Sequence, residues 1–129
     1  ERLENLGLEE TVQLVGYVPD ADLPAIYSGA RLVVVPSLYE GFGLPVLEAM
    51  ACGAPVACSN VSSLPEVGGD AVRYFDAMDA KAMADTIFTV WRDQALRHEM
   101  SQQGLDHAAK YSWQKTADKT LSVYEKIAK

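Results

Sequence analysis

Four consecutive apolar residues, Leu32-Val33-Val34-Val35, run without polar alternation, and three of them are β-branched. A strand of this kind calls for cover on both faces, which is the situation of a parallel strand between helical layers. The run sits inside a strand predicted over Arg31–Pro36, with three further strands at Thr11–Val15, Pro55–Cys58 and Ala71–Phe75. Between them lie helical segments. Asp20-Ala21-Asp22-Leu23 opens one that reaches about Ser28, and Leu44 to Ala51 form another. Pro45 suits the first helical position of the latter, and Gly53 its end.

Beyond the last strand the pattern is helical only. Ala80, Met83, Ala84, Ile87 and Trp91 share one face. Leu96, Met100 and Ala108 mark a second helix with a break expected at Gly104, and Ser112 caps a third. That third helix carries the stripe Trp113, Ala117, Leu121, Tyr124 and Ala128. The periodicity places Trp91, Trp113 and Tyr124 in the core. The whole reads as one α/β unit over residues 1–129: a doubly wound, Rossmann-like, mostly parallel sheet of about four strands, followed by C-terminal helices.

Ligands of such sheets bind beyond the carboxyl ends of the strands. Two loops answer to that position, Gly16–Asp20 and Ser37–Gly43. From Gly41 to Cys58 there is one charge in eighteen residues, Glu48. It stands about one turn into an apolar helix, where burying an unpaired carboxylate costs several kcal/mol. Glu48 therefore faces a crevice or bonds to a polar group; interaction with its own helix dipole is the structural alternative. Glu40 precedes Gly41-Phe42-Gly43, whose glycines let backbone approach a ligand closely. The helix start that follows offers free N–H groups to an anion such as a diphosphate. Two carboxylates that accept from vicinal hydroxyls, placed around a diphosphate site, suit a nucleotide sugar.

Charge and composition exclude other classes. The net charge of -7 opposes a nucleic-acid surface. Residues 1–111 hold 7 basic and 16 acidic side chains, whereas residues 112–129 hold 4 and 2. The basic tail is read as a solvated or partner-facing helix surface. No run approaches the ~20 apolar residues of a membrane helix. The first residues, Glu1 to Asn5, read as the tail of a helix rather than a signal peptide, so the chain is expected to belong to something longer. Cys52 and Cys58 match neither zinc nor redox spacing and are expected as buried, reduced thiols of a cytoplasmic protein. His98 and His107 fall on opposite helix faces, and neither is a metal ligand or catalytic base. No metal site is expected.

Residues Pro36-Ser37-Leu38-Tyr39-Glu40-Gly41-Phe42-Gly43-Leu44-Pro45-Val46-Leu47-Glu48-Ala49-Met50-Ala51-Cys52-Gly53-Ala54-Pro55-Val56 resemble the signature of the family-4 retaining glycosyltransferases, two glutamates with seven residues between them. Val12-Gln13-Leu14-Val15-Gly16-Tyr17-Val18, Leu64-Pro65-Glu66-Val67 and Tyr111-Ser112-Trp113 extend the resemblance over essentially the whole chain. It implies the C-terminal, donor-binding half of a two-domain GT-B enzyme. Glu48 would hold ribose hydroxyls of the nucleotide. Glu40, the catalytic-site residue, would hold the transferred sugar with backbone at Gly41 and Phe42. Amides near Gly43 and Leu44 would meet the diphosphate, and backbone at Val18 the base. The donor would be a UDP-, GDP- or ADP-linked sugar, without cofactor or obligatory metal, and the acceptor a sugar, glycan, lipid or small molecule. The family's diphosphate-binding Arg and Lys belong to a segment preceding this one; Arg2 and Arg31 do not occupy that motif.

The resemblance also implies a parent sheet ordered 3-2-1-4-5-6, of which the predicted strands match 3, 4, 5 and 6. Arg31–Pro36 would then present a free apolar edge. Pairing of Thr11–Val15 with that edge, joining or swapping between two copies, and a missing piece held as a cleaved fragment would each satisfy it. A homo-oligomer is expected over a rearranged monomer, with the acceptor domain of the same protein as the other partner. Alone, the chain is expected to bind part of a donor without transferring sugar. Other classes on this architecture are a sugar-nucleotide epimerase or phosphorylase, against which the complete Glu40–Glu48 pair argues, and a non-catalytic nucleotide-binding or assembly module. The lack of a GxGxxG after a strand argues against a dehydrogenase.

Overall fold

The computed structural model describes residues 2–128. Its elements are α1 (Arg2–Asn5), α2 (Leu23–Gly29), β1 (Val33–Val35), α3 (Leu44–Ala51), β2 (Val56–Ser59), α4 (Leu64–Gly68), a 3₁₀ turn (Gly69–Ala71), β3 (Arg73–Phe75), α5 (Ala80–Arg92), α6 (Gln94–Ala108) and α7 (Trp113–Ile127). The strands pair in parallel in the order β1-β2-β3, with Val34 opposite Ala57 and Cys58 opposite Tyr74. Helices make both crossovers, as parallel pairing requires. The expected α/β class is therefore present, in a sheet of three strands rather than about four.

The missing strand is Thr11–Val15. Residues 12–19 have no regular secondary structure, and Leu14 and Val15 are 83% and 63% exposed. A lone extended segment gains nothing from β-propensity unless a neighbouring strand completes its hydrogen-bond ladder. None does so among the described residues, and the alternative in which this segment pairs with β1 is not adopted. The valine run also differs from expectation. As the edge strand, β1 leaves Val33 and Val34 half-buried, and full cover falls on the central strand β2, buried along its whole length.

Helix α3 has the expected bounds. Gly43 caps it in a left-handed conformation (φ 103°), Pro45 takes the second helical position rather than the first, and Gly53 (φ 75°) follows its end. Its inner face, Val46, Ala49 and Met50, is buried with Val56, Cys58, Leu64 and Ala108 in the core. Helix α6 runs unbroken through Gly104, contrary to the expected break. The reason is close packing: a Cβ at Gly104 would lie 3.3 Å from Met50 Cγ, so the glycine serves the approach of α6 to α3.

Asp79, Asp93 and Ser112 cap α5, α6 and α7 through side-chain oxygens that accept backbone N–H bonds. The carbonyls at the end of α5 are closed by two guanidinium groups. Arg31 Nη2 donates to Trp91 O at 3.0 Å, and Arg97 Nη1 to Val90 O at 2.9 Å and also to Trp91 O. The Arg31 guanidinium lies 4.5 Å from the Trp91 ring centre. Trp91 is thus a half-exposed stacking partner and not a core residue.

Trp113 and Tyr124 depart further from the core expectation, at 79% and 67% exposed. Helix α7 has the expected amphipathic stripe and buries no residue among those described. Periodicity fixes which side of a helix is apolar, and only a packed neighbour buries it.

The Cys58 thiol, buried in β2, is pushed by burial from an ordinary 9.0 to about 12. Tyr74, its cross-strand partner, is raised to about 12 by burial first, then by the charges of Cys58 and Asp70. Both acids lose their protons more readily in the unfolded chain, so their contribution is complete below the ordinary values and is lost as pH rises towards about 12. The urea midpoint should fall steadily between pH 8 and pH 11, and Cys58→Ala should flatten that slope. A midpoint constant over this window would contradict the assignment.

Candidate functional site

The loop after β1 and the start of α3 lie at the carboxyl end of the sheet. Parallel pairing brings the loop after β2 beside them; Ser62 and Ser63 join the two loops, and Ser37 bonds within the first. Ser37 Oγ donates to Glu40 Oε1 at 2.7 Å. Glu40 N–H donates to Ser62 Oγ at 2.9 Å. Ser63 Oγ lies 3.0 Å from Glu40 O and 2.8 Å from Phe42 O, sharing its proton between two carbonyls. Glu40 is half-buried, and among the described residues its carboxylate makes no other hydrogen bond.

Gly43 is buried at the mouth of α3, and its carbonyl accepts from Val46 and Leu47. The N–H groups of Gly41, Phe42, Gly43 and Leu44 carry no hydrogen bond among the described residues. A row of free donors at a helix start is a surface for an anion.

Glu48 is exposed and is the fifth residue of α3. That places it past the first turn, where the helix dipole has lost most of its effect. Its observed partner is Tyr27 of α2, whose hydroxyl donates to Oε2 at 3.3 Å. Burial first, then the charge and hydrogen bond of Glu48, raise the Tyr27 pKa. The carboxylate thus has a polar partner and borders an open cleft, so neither alternative named from the sequence excludes the other.

The outer face of α3, Leu44, Leu47, Glu48 and Ala51, forms one wall of a cleft of about 300 Å³. The other walls are Phe42, Ala108, Tyr111, Ser112, Trp113 and Thr116. Phe42 meets Tyr111 edge to face, with ring centres 6.2 Å apart.

Glu40, Gly41, Phe42 and Gly43 therefore form one braced loop, and Phe42, Leu44 and Glu48 share one cleft. Val18 is half-buried in the irregular segment and has no hydrogen bond to that loop among the described residues. Ser62 and Ser63 were not singled out from the sequence. The available signal was their place four and five residues after the strand predicted to end at Cys58, at the same end of the sheet as Glu40. Of the other residues considered, Cys58 is buried and Cys52 half-buried, both as free thiols. His107 is not on a free face, because its Nε2 lies 2.9 Å from Val67 O.

A parallel α/β sheet with a glycine-bounded loop and two carboxylates near its carboxyl end defines a Rossmann-like fold, with its candidate site where such sheets bind ligands. Over residues 1–107 the chain matches the family described as glycosyl transferases group 1, and it belongs to that family. It is 47% identical over 117 residues to O-antigen chain mannosyltransferase B of Escherichia coli, covering 91% of this chain and 31% of that protein. It is 36% identical over 126 residues to D-inositol 3-phosphate glycosyltransferase of Corynebacterium jeikeium, covering 96% of this chain and 30% of that protein. The chain thus spans about a third of the length of these curated relatives.

Among solved structures, sucrose-phosphate synthase from Thermosynechococcus elongatus superimposes with a TM-score of 0.90 at 30% identity, over 98% of this chain and 32% of that one. The C-terminal domain of a glycosyl transferase group 1 family protein from Francisella tularensis gives 0.74 at 28% identity, over 84% of this chain and 57% of that one. The fold is that of part of a GT-B C-terminal domain.

Proposed function

We propose that the chain is the donor-binding part of a retaining, nucleotide-sugar-dependent glycosyltransferase that passes a hexosyl group to a glycan acceptor. The observation that carries this reading is the Glu40–Gly43 loop, held by serines at the sheet's carboxyl end and running into a helix start with free N–H groups. The similarity to a mannosyltransferase of O-antigen chains favours mannosyl as the hexosyl group and polysaccharide synthesis as the setting.

In this reading the diphosphate lies against the amides of Gly43 and Leu44. Glu48 accepts from the ribose hydroxyls, Glu40 from the transferred sugar, and backbone at Val18 meets the base. Catalysis rests on stabilising the departing diphosphate. The reading needs no metal, because helix amides and basic side chains from outside this chain would share the diphosphate charge. Transfer requires an acceptor-binding domain of the same protein. Among the described residues no helix is long and apolar enough to cross a membrane, and a cytoplasmic or membrane-peripheral setting is part of this proposal.

The test is binding of UDP, GDP and ADP and their sugars, followed by titration of Glu48→Gln. Charge-assisted hydrogen bonds contribute about 1.5–3 kcal/mol each, so the variant should bind its preferred nucleotide at least about tenfold more weakly. Its stability should hardly change, since Glu48 is exposed. Wild-type affinity in that variant would remove the ribose role.

β1 is paired on one side only among the described residues. A further strand, from the same protein or from a second copy, is proposed to add there. Light scattering of the chain should show concentration-dependent dimers, and a monodisperse monomer at high concentration would exclude the second copy.

A further inference from the structure

We infer that Ser62 and Ser63 are positioning residues for Glu40, and that they set the preference of the site for a nucleotide sugar over the bare nucleotide diphosphate. This rests on the proposed contact between Glu40 and the transferred sugar.

Ser62 is the one non-glycine residue with positive φ among those described, at 47°. Glycine holds that conformation without strain, and serine does so at some cost. What serine adds is its Oγ, which receives Glu40 N–H at 2.9 Å. Ser63, the next residue, contributes the hydroxyl that lies against Glu40 O and Phe42 O.

Both backbone polar groups of Glu40 are therefore held by the neighbouring strand's loop, more than twenty residues away in sequence. Ser37 holds one carboxylate oxygen from within Glu40's own loop. The other oxygen makes no hydrogen bond among the described residues, so the brace presents it in one fixed direction. Satisfying the Glu40 N–H does not by itself require a serine, because its bond to Ser62 is solvent-accessible and water could replace it. The particular gain from Ser62 and Ser63 is geometric. An acceptor aimed at a sugar hydroxyl loses effect when its backbone is free to turn.

The experiment uses the full-length glycosyltransferase that carries this chain, with its nucleotide sugar and the matching diphosphate as ligands. Ser62→Gly removes the hydroxyl and relieves the backbone strain, so folding is preserved. It should lower kcat with the nucleotide sugar by about three- to tenfold, the worth of one ordinary hydrogen bond. Affinity for the diphosphate should stay within about twofold of wild type on the same reasoning. Ser63→Ala should behave alike, and Ser63→Thr, which keeps the hydroxyl, should restore kcat.

Glu40→Ala should lose more than either serine variant, and adding Ser62→Gly to it should cause no further loss, as expected for residues acting through one group. If Ser62→Gly retains wild-type kcat and sugar preference while Glu40→Ala loses them, the positioning role is overturned and the reading of Glu40 stands. Equal losses of diphosphate and sugar-nucleotide affinity in Ser62→Gly would also overturn it, by showing a general disturbance of the loop. If Glu40→Ala keeps the sugar preference, the assignment of Glu40 falls and this inference falls with it.

Discussion

Gly43→Ala should destabilise the chain by about 2–6 kcal/mol, combining backbone strain of about 1–3 kcal/mol with overpacking of similar size. Two independent features of the site produce this. The backbone at Gly43 has φ 103°, which L side chains rarely adopt. A Cβ placed there would lie 2.7 Å from Leu64 Cδ2. Leu64 is fully buried beneath the loop, so its side chain has little room to retreat. Relief would have to come from the start of α3, which carries the free amides and leads to Glu48. Loss of stability and loss of the proposed nucleotide binding should therefore appear together. Gly41→Ala is the control, because its Cβ would meet nothing within 4 Å. A surface change of that kind should remain within about 0.5 kcal/mol of wild type. Urea unfolding of the two variants decides the matter, and a Gly43→Ala curve superimposed on wild type would refute the argument.

What the sequence disclosed depended on whether the interaction was local. Helix α3 was readable to its end residues because a glycine caps it, a proline sits in its first turn and another glycine follows it. Glu40, Gly41, Phe42, Gly43 and Leu44 could be proposed from the sequence as one candidate site because they are contiguous. Ser62 and Ser63 were not, since their role exists only once β1 and β2 lie side by side. Thr11–Val15 failed for the converse reason: it has the composition of a strand and no neighbour among the described residues to pair with. The stripe of α7 was seen correctly as a stripe, but its burial depended on a packing partner that no periodicity can supply. Gly104 misled because glycine weakens an isolated helix, whereas here it allows α6 to lie close to Met50.

That contact gives the second large effect. Met50→Ala should cost about 2–5 kcal/mol, the usual range for truncating a buried Met, Leu or Ile. Met50 is 1% exposed, in the core cluster on the inner face of α3. Its Cβ and Cγ lie 3.4 and 3.3 Å from where a Gly104 Cβ would stand, so the two helices are already in close backbone contact there. Such a seam has little freedom to collapse further into the space a truncated side chain leaves, which places the expected cost in the upper part of the range. Met50→Leu keeps the volume and should cost less than about 1.5 kcal/mol. The consequence for function follows from the helix itself. Glu48 is two residues from Met50 and exposed on the other side of α3, so a shift of the buried face moves the carboxylate relative to Tyr27. Nucleotide affinity should therefore fall in Met50→Ala by more than the unfolded fraction alone explains, and Met50→Leu should retain it. Titrations at a temperature where both variants are folded separate these effects. Unchanged affinity in folded Met50→Ala would show that the helix holds Glu48 in place without this part of the core.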